Sequence, residues 1–242
     1  MTNAIEFDGR FLGVLGGMGP MASAFFMERL TALSNADHDQ DHIPVILWSD
    51  PRIPGRTQGY SGVGEDPLPW MQNGVNQLVR AGARAIAVPC NTAHLWYEAL
   101  VATTPIPILH IVRAVTADLR LQGFQHGRIG LMGTATTLKL RLYQRELEAN
   151  GYEWVVPATE DIQDKCNEAI RLVAANRIEE ALFPAEACIA HLKSRGADVV
   201  VLGCTELPLA VPHRQRADMA LPIVDSIDAL ARAAINWYSH KE

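Results

Sequence analysis

Short apolar runs alternate along the chain with longer segments of helical periodicity. Runs of four to eight residues rich in Val, Ile and Leu are typical of buried strands. We predict strands at 11–15, 45–48, in the run that ends at Cys90, and at 106–111, 129–132, 154–157, 198–202 and 221–224. We predict helices at 21–33, 70–81, 93–101, 113–121, 138–150, 161–175, 178–195 and 227–238. This alternation predicts an α/β fold of parallel sheets with helices on both faces.

The same plan occurs twice in the chain. Gly82-Ala83 precedes an apolar run that ends in Cys90, and Gly196-Ala197 precedes one that ends in Cys204. Two further pairs of segments match at nearly the same separation, 12–16 with 129–133 and 107–110 with 222–225. Ordered matches at one separation indicate an internal repeat. We therefore predict two similar lobes related by a pseudo-two-fold axis, each a parallel four-stranded sheet flanked by helices, with the active site between them.

Composition narrows the function without naming it. Of 242 residues, 48% are hydrophobic and 20% charged, which is ordinary for a globular protein. The net charge of −6 argues against nucleic acid as a partner. No apolar run approaches a membrane span, and 1–10 lacks an apolar signal core, so we predict a cytoplasmic protein that does not bind membranes. The four cysteines show no C-x-x-C spacing, and we predict free thiols and no metal site.

The two repeated cysteines are the candidate chemistry. Each follows a buried strand at the sheet edge where α/β proteins bind ligands, and each precedes a helix start. Helix N-termini lower thiol pKa values, so we expect thiolate character. If the lobes face each other, Cys90 and Cys204 approach one small molecule from opposite sides. One thiolate then removes a proton from carbon, and the opposite thiol returns one to the other face.

Donors for a substrate carboxylate lie near both cysteines. Asn91, Thr92 and Thr205 follow them directly, and the turn at 16–19 offers backbone N–H groups. The hydroxyls at 134–137 either hold a carboxylate or only cap the following helix.

Five segments resemble the cofactor-independent aspartate/glutamate racemase family over essentially the full chain. They are Gly16-Gly17-Met18-Gly19-Pro20, Pro54-x-Arg56-Thr57, Pro89-Cys90-Asn91-Thr92-Ala93-His94, Gly133-Thr134-x-x-Thr137 and Leu202-Gly203-Cys204-Thr205-Glu206-Leu207-Pro208. The resemblance implies racemisation of an acidic amino acid by Cys90 and Cys204, with no pyridoxal phosphate, other cofactor or metal. It implies substrate contacts from Met18, Arg56, Asn91, Thr92, Thr134, Thr205 and Glu206.

The resemblance also implies a domain division and an assembly. The final strand and helix return to the first lobe, so 1–106 plus 220–242 form the lobe with Cys90, and 107–219 form the lobe with Cys204. The family is usually homodimeric. Two departures concern substrate choice: Gly55 stands where the family often has aspartate, and Ala174-Ala175 stand where aspartate-specific members have a lysine for the distal carboxylate.

Three alternatives stay open. A related hydantoin racemase or maleate isomerase would use the same two cysteines. A nucleophilic enzyme would pair Cys90 with His94 as its base, at i,i+4 spacing on one helix face. A carboxylate sensor would keep the cleft without catalysis.

Overall fold

The computed structural model describes residues 9–240, so the predictions for 1–8 and 241–242 lie outside the described residues. Two parallel four-stranded sheets form the frame, and both have the same strand order, β2-β1-β3-β4 and β6-β5-β7-β8. The predicted two-lobed α/β fold is confirmed. In the described chain no helix is long and apolar enough to cross a membrane.

The first sheet and its helices occupy the first half of the chain. Its strands are β1 (Phe11–Gly16), β2 (Val45–Ser49), β3 (Ala83–Ala87) and β4 (Ile108–Leu109). Its helices are α1 (Pro20–Leu33), α2 (Arg56–Ser61), α3 (Leu68–Arg80), α4 (Tyr97–Val101) and α5 (Ile111–Leu121), with 3-10 turns at Asp39–Asp41 and Thr92–Trp96.

The second half repeats this plan with more helix. Its strands are β5 (Arg128–Met132), β6 (Glu153–Val155), β7 (Val199–Leu202) and β8 (Ile223–Asp225). Its helices are α6 (Ala135–Lys139), α7 (Leu142–Ala149), α8 (Glu160–Ala174), α9 (Ile178–Ser194), α10 (Leu207–Ala210) and α11 (Ser226–Ser239), with a 3-10 helix at His213–Asp218.

Side chains alternate between two faces of each sheet, which produces one shared core and two outer cores. In β7, Val199 and Val201 join a central cluster, whereas Val200 and Leu202 join an outer cluster with α8 and α9. The central cluster includes residues of β1, β5, α1, α5, α7 and α11. An outer cluster on the first sheet contains α3. The halves therefore share one apolar interior, which fixes the two sheet edges relative to each other.

The strand pairing cuts across the predicted lobe boundaries at 106 and 220, although the division of the chain into lobes stays a prediction. β4 lies beyond 106 but pairs with β3, and β8 lies beyond 220 but pairs with β7. α11 nevertheless packs on α1 and α5 of the first half. The chain therefore returns to the first half through its last helix and not through its last strand.

Candidate active site

The two cysteines lie at the carboxyl ends of central strands of the two sheets. Cys90 follows β3, and Cys204 follows β7. The thiols are 5% and 6% exposed, respectively. They are close enough that the charge of Cys90 contributes to raising the pKa of Cys204. The internal repeat thus brings the two predicted acid–base residues to one buried place.

Both thiols have raised pKa values, so the expected lowering by helix N-termini is wrong. Burial is the main cause at each cysteine. At Cys90 a bond from the backbone N–H of Ala93 lowers the pKa, but less than burial raises it. The predicted helix at 93–101 begins instead as a 3-10 turn, and Asn91 makes no side-chain cap there. The sequence shows the turn after Cys90 but not how completely the sulfur is removed from water.

The surroundings of the two sulfurs differ in charge. The thiol of Cys204 donates to Oε2 of Glu206 at 3.0 Å, and this bond and the carboxylate charge raise the pKa of Cys204 further. Beside Cys90 the charge of the Arg56 guanidinium acts against burial, although the more weakly acting charge of Glu206 adds to burial. Cys204 is therefore held as a neutral thiol, while Cys90 has the cation that stabilises a thiolate.

Arg56 is held by the backbone of its own loop. Its Nη1 donates to the carbonyls of Ile53 at 3.3 Å and Pro54 at 3.2 Å. Its Nε is buried and has no hydrogen-bond partner among the described residues. Arg52, by contrast, has a side chain that is 75% exposed and paired with Asp50. Of the two loop arginines, Arg56 is the one placed beside a catalytic candidate.

The glycine turn after β1 brings Met18 and Gly19 to the site. Met18 is buried in the cluster that contains Cys90, and a Cβ on Gly19 would lie 3.4 Å from Oε1 of Glu206. Gly17 has φ +91°, and a Cβ there would collide with the Asp50 backbone at 2.4 Å, so glycine is required. The N–H of Gly17 donates to Ser23 Oγ at 2.9 Å, so this member of the predicted anion cradle is already occupied.

Threonine hydroxyls from both halves meet at the seam. Thr92 Oγ1 lies 3.4 Å from Thr134 Oγ1 and 3.1 Å from Thr137 Oγ1. Thr134 also accepts from the N–H of Thr137 at 3.1 Å and so caps α6, which was one of the two roles considered for these hydroxyls. Thr205 donates to Glu206 at 3.3 Å. Glu206 therefore contacts its own cysteine loop, in addition to the substrate contact predicted for it.

Asn91 is buried and held by two residues that the sequence did not indicate. Its Oδ1 accepts from the hydroxyl of Tyr143, and its Nδ2 donates to Ser226 Oγ at 2.9 Å. Both partners are buried and belong to the second half of the chain. The sequence gives no signal for them, because neither lies in one of the repeated motifs.

His94 is not the base of a cysteine–histidine pair. Its Nε2 accepts from the N–H of Ile111 at 3.1 Å, which leaves Nδ1 to donate to the carbonyl of Cys90 at 2.9 Å. Burial lowers the pKa of His94 to about 4. Both ring nitrogens are thus used by backbone groups, and the ring supports the turn after β3.

Cations occupy the one group of three potential metal ligands found in the described chain, His213, Asp225 and Asp228. Arg29 pairs with Asp228 at 2.6 Å, and Arg216 with Asp225. This cluster therefore serves as an ion-pair network between α1, α11 and the 3-10 helix at His213–Asp218. A cavity of about 1410 Å³ between α5 and α11 contains none of the predicted site residues.

The end of α8 contains Ala174, which with Ala175 stands where aspartate-specific members have a lysine for the distal carboxylate. Ala174 and Arg171 are exposed. Arg171 and Lys165 line a surface cavity on α8 with Asp164 and Glu168. None of them is among the groups that perturb either thiol.

The chain is a two-lobed α/β protein in which one candidate cysteine comes from each half. A family model described as Asp/Glu/Hydantoin racemase matches residues 15–234. A broad specificity amino-acid racemase of Bacillus subtilis (strain 168) is 27% identical over 238 residues, covering 94% of this chain and 97% of that protein.

Two solved structures extend the likeness. The aspartate racemase of Picrophilus torridus is 30% identical with a TM-score of 0.84, covering 96% of each chain. An aspartate racemase homologue from Pyrococcus horikoshii OT3 is 25% identical with a TM-score of 0.74, covering 96% of this chain and 100% of that one. The chain belongs to the Asp/Glu/hydantoin racemase family, and its enzyme class is isomerase.

Proposed function

We propose that this racemase interconverts the L and D forms of an acidic amino acid, aspartate or glutamate, by proton transfer through Cys90 and Cys204. The observation that carries the proposal is the pair of buried thiols at corresponding strand ends, with Arg56 beside one and Glu206 beside the other. The named aspartate racemase and broad specificity racemase among its relatives support the substrate class.

The charge difference between the thiols decides which one ionises first, and this gives the sequence of steps. Burial raises the pKa of both thiols, so both are protonated before substrate binds, and Arg56 makes Cys90 the one that ionises more readily. Cys90 loses its proton to solvent as substrate binds, and the thiolate then takes the α-proton of one enantiomer and becomes a thiol. The carbanion then takes the proton of Cys204 on its opposite face, which leaves Cys204 as the thiolate. The reverse reaction begins from that state, so each cysteine is acid in one direction and base in the other. The proton held on Cys90 and the charge on Cys204 are reset by exchange with solvent.

The remaining contacts serve the substrate. Thr92 and the second amide proton of Asn91 are donors for the α-carboxylate, on which negative charge develops as the proton leaves. Thr134 joins them when its hydroxyl, which donates to Thr137 Oγ1 at 2.9 Å, turns to the substrate. Arg56 has a buried N–H free among the described residues and carries the positive charge for a second carboxylate. Because the thiols are nearly inaccessible, substrate enters when the lobes move apart, and closure removes water from the reacting carbon.

The cellular setting is also part of the proposal. All four cysteines are free and buried, which suits the reducing cytoplasm. We propose a homodimer on the basis of the family resemblance, and size-exclusion chromatography with light scattering tests it directly.

The activity is tested with a panel of single enantiomers analysed by chiral chromatography. We expect inversion of aspartate or glutamate, and loss of inversion in Cys90→Ala and in Cys204→Ala. Cys188→Ala is the matched control, because Cys188 is a buried thiol within α9 and is not among the groups that shift the pKa of Cys90 or Cys204. Turnover of a hydantoin or of maleate, with none of the amino acids inverted, would instead favour the related activities. Full activity in either active-site cysteine variant would overturn the two-thiol mechanism.

A further inference from the structure

A chain of buried hydrogen bonds joins the two cysteine loops. The hydroxyl of Tyr143 donates to Asn91 Oδ1. Asn91 Nδ2 donates to Ser226 Oγ at 2.9 Å, and Ser226 Oγ donates to the carbonyl of Leu202 at 3.0 Å. Tyr143, Asn91 and Ser226 are 1%, 2% and 0% exposed, so water does not compete for these bonds.

The ends of this chain are next to the two sulfurs. Asn91 directly follows Cys90, and Leu202 is the last residue of β7, two positions before Cys204. The ring of Tyr143 contacts the second loop as well, since a Cβ on Gly203 would lie 2.9 Å from its Cε2. Tyr143 therefore contacts a neighbour of each cysteine and lies between the two loops.

The donors and acceptors fix the orientation of the Asn91 amide. The hydroxyl proton of Ser226 is used by the Leu202 carbonyl, so Ser226 can only accept from Asn91. Burial raises the pKa of Tyr143, so its hydroxyl stays protonated and donates to the amide oxygen. The amide cannot flip without losing both bonds, and its second N–H keeps one direction.

We infer that Tyr143 and Ser226 are positioning residues, which orient Asn91 and hold the loops of Cys90 and Cys204 at the separation needed for proton transfer on opposite faces. The inference rests on the proposed racemase function and adds two residues outside the repeated motifs to it. Its physical content is that a buried amide acceptor left without its donor relaxes, and the cysteine beside it moves.

Tyr143→Phe tests the inference, because it keeps the ring against Gly203 and removes only the hydroxyl. Tyr152→Phe is the matched control: Tyr152 is also buried, and its hydroxyl donates to the Phe124 carbonyl, away from the sulfurs. We expect roughly a tenfold fall in kcat for Tyr143→Phe, the equivalent of about one buried hydrogen bond, with a smaller change in KM. Tyr152→Phe should lower thermal stability and leave kcat close to wild type.

A second readout separates positioning from general loosening of the fold. In D2O at early times, we compare the deuterium in recovered substrate with that in inverted product. This ratio reports how often the carbanion lasts until the thiol that removed the proton has exchanged with solvent, and is then deuterated on its original face. We expect this ratio to rise several-fold in Tyr143→Phe and in Ser226→Ala, and to stay at the wild-type value in Tyr152→Phe. If both tyrosine variants change equally, or Tyr143→Phe keeps the wild-type kcat and ratio, the positioning role is wrong. A wild-type protein that neither inverts nor exchanges any amino acid would overturn the proposed function, and this inference with it.

Discussion

Mild acid is predicted to destabilise the protein through His94. The ring is buried and neutral, and burial lowers its pKa from 6.5 to about 4. In the unfolded chain the same ring takes up a proton below about pH 6.5. Between these values the unfolded state binds more protons than the folded state, so the free energy of unfolding falls as the pH falls.

The size of the effect follows from the pKa difference. A shift of that size corresponds to roughly 3 kcal/mol, a large part of the stability of an ordinary domain. The free energy of unfolding keeps this amount above the unfolded pKa of His94 and loses it as the pH falls from about 6.5 towards about 4. Burial also lowers the pKa of His110 to about 3, which adds a loss in the same direction.

The assay is urea unfolding followed by tryptophan fluorescence at pH values from about 7.5 to about 4.5. His94→Asn serves as the comparison, because asparagine keeps a donor near the position of Nδ1 and has no group that titrates. The variant should be less stable at neutral pH, and the difference from wild type should shrink as the pH falls. If the two proteins lose the same free energy across this range, His94 is not the buried neutral ring described above.

Three further predictions concern the packing at Gly203, the charge of Arg56 and the ion pair between Arg29 and Asp228. Gly203→Ala places a Cβ 2.9 Å from a backbone oxygen, and we expect a loss of roughly 1–3 kcal/mol on thermal or urea unfolding. Arg56→Gln removes the cation beside Cys90, so the pKa of that thiol rises. The pH at which kcat/KM reaches half its maximum should therefore move to a higher value. Arg29→Gln leaves Asp228 without one charged partner and should cost roughly 2–3 kcal/mol near neutral pH. That cost should shrink as the pH falls below about 3.8, because hydrogen bonds from His213 and Arg29 outweigh burial and lower the pKa of Asp228.

Each of these has a contrary outcome. A Gly203→Ala protein as stable as wild type would mean that the Met132 carbonyl and the Tyr143 ring move aside at no cost. An Arg56→Gln variant with a changed KM but an unmoved pH profile would limit the arginine to substrate binding. An Arg29→Gln variant whose loss of stability grows as the pH falls would show that Asp228 is not held ionised by its partners.

The sheet frame could be predicted because its signal is local. β7 is three valines and a leucine followed by Gly203-Cys204, and the apolar run before Cys90 also ends at a cysteine. The repeat then required corresponding places for the two cysteines, and equal strand orders provide them. The pairing of β8 with β7 could not be predicted, because pairing partners are chosen by tertiary contacts, which a three-residue strand does not encode.

Two helical details were missed for local reasons. The sequence does not predict α2 (Arg56–Ser61), because Gly59 and its polar neighbours give no apolar stripe. The predicted helix at 138–150 is two helices, α6 and α7, that break at Arg141 with φ +58°. Positive φ is unusual for arginine, and neither glycine nor proline marks the break.

The site was predictable in its reactive residues and not in its environment. The cysteines stand in repeated motifs, whereas Tyr143 and Ser226 reach Asn91 across 52 and 135 positions of chain. The direction of the thiol pKa values was wrong because the motif shows a helix start but not the desolvation of the sulfur, which outweighs it.

The central claim is that two thiols act on opposite faces of one carbon, and early-time isotope content tests it most directly. Each pure enantiomer of the preferred substrate is converted in D2O to a small extent, and both enantiomers are then separated and weighed by mass spectrometry. Opposed thiols predict deuterium at Cα in the product and almost none in the recovered substrate, in both directions. Product that retains the original proton, or equal deuterium in both enantiomers from the start, would contradict the account.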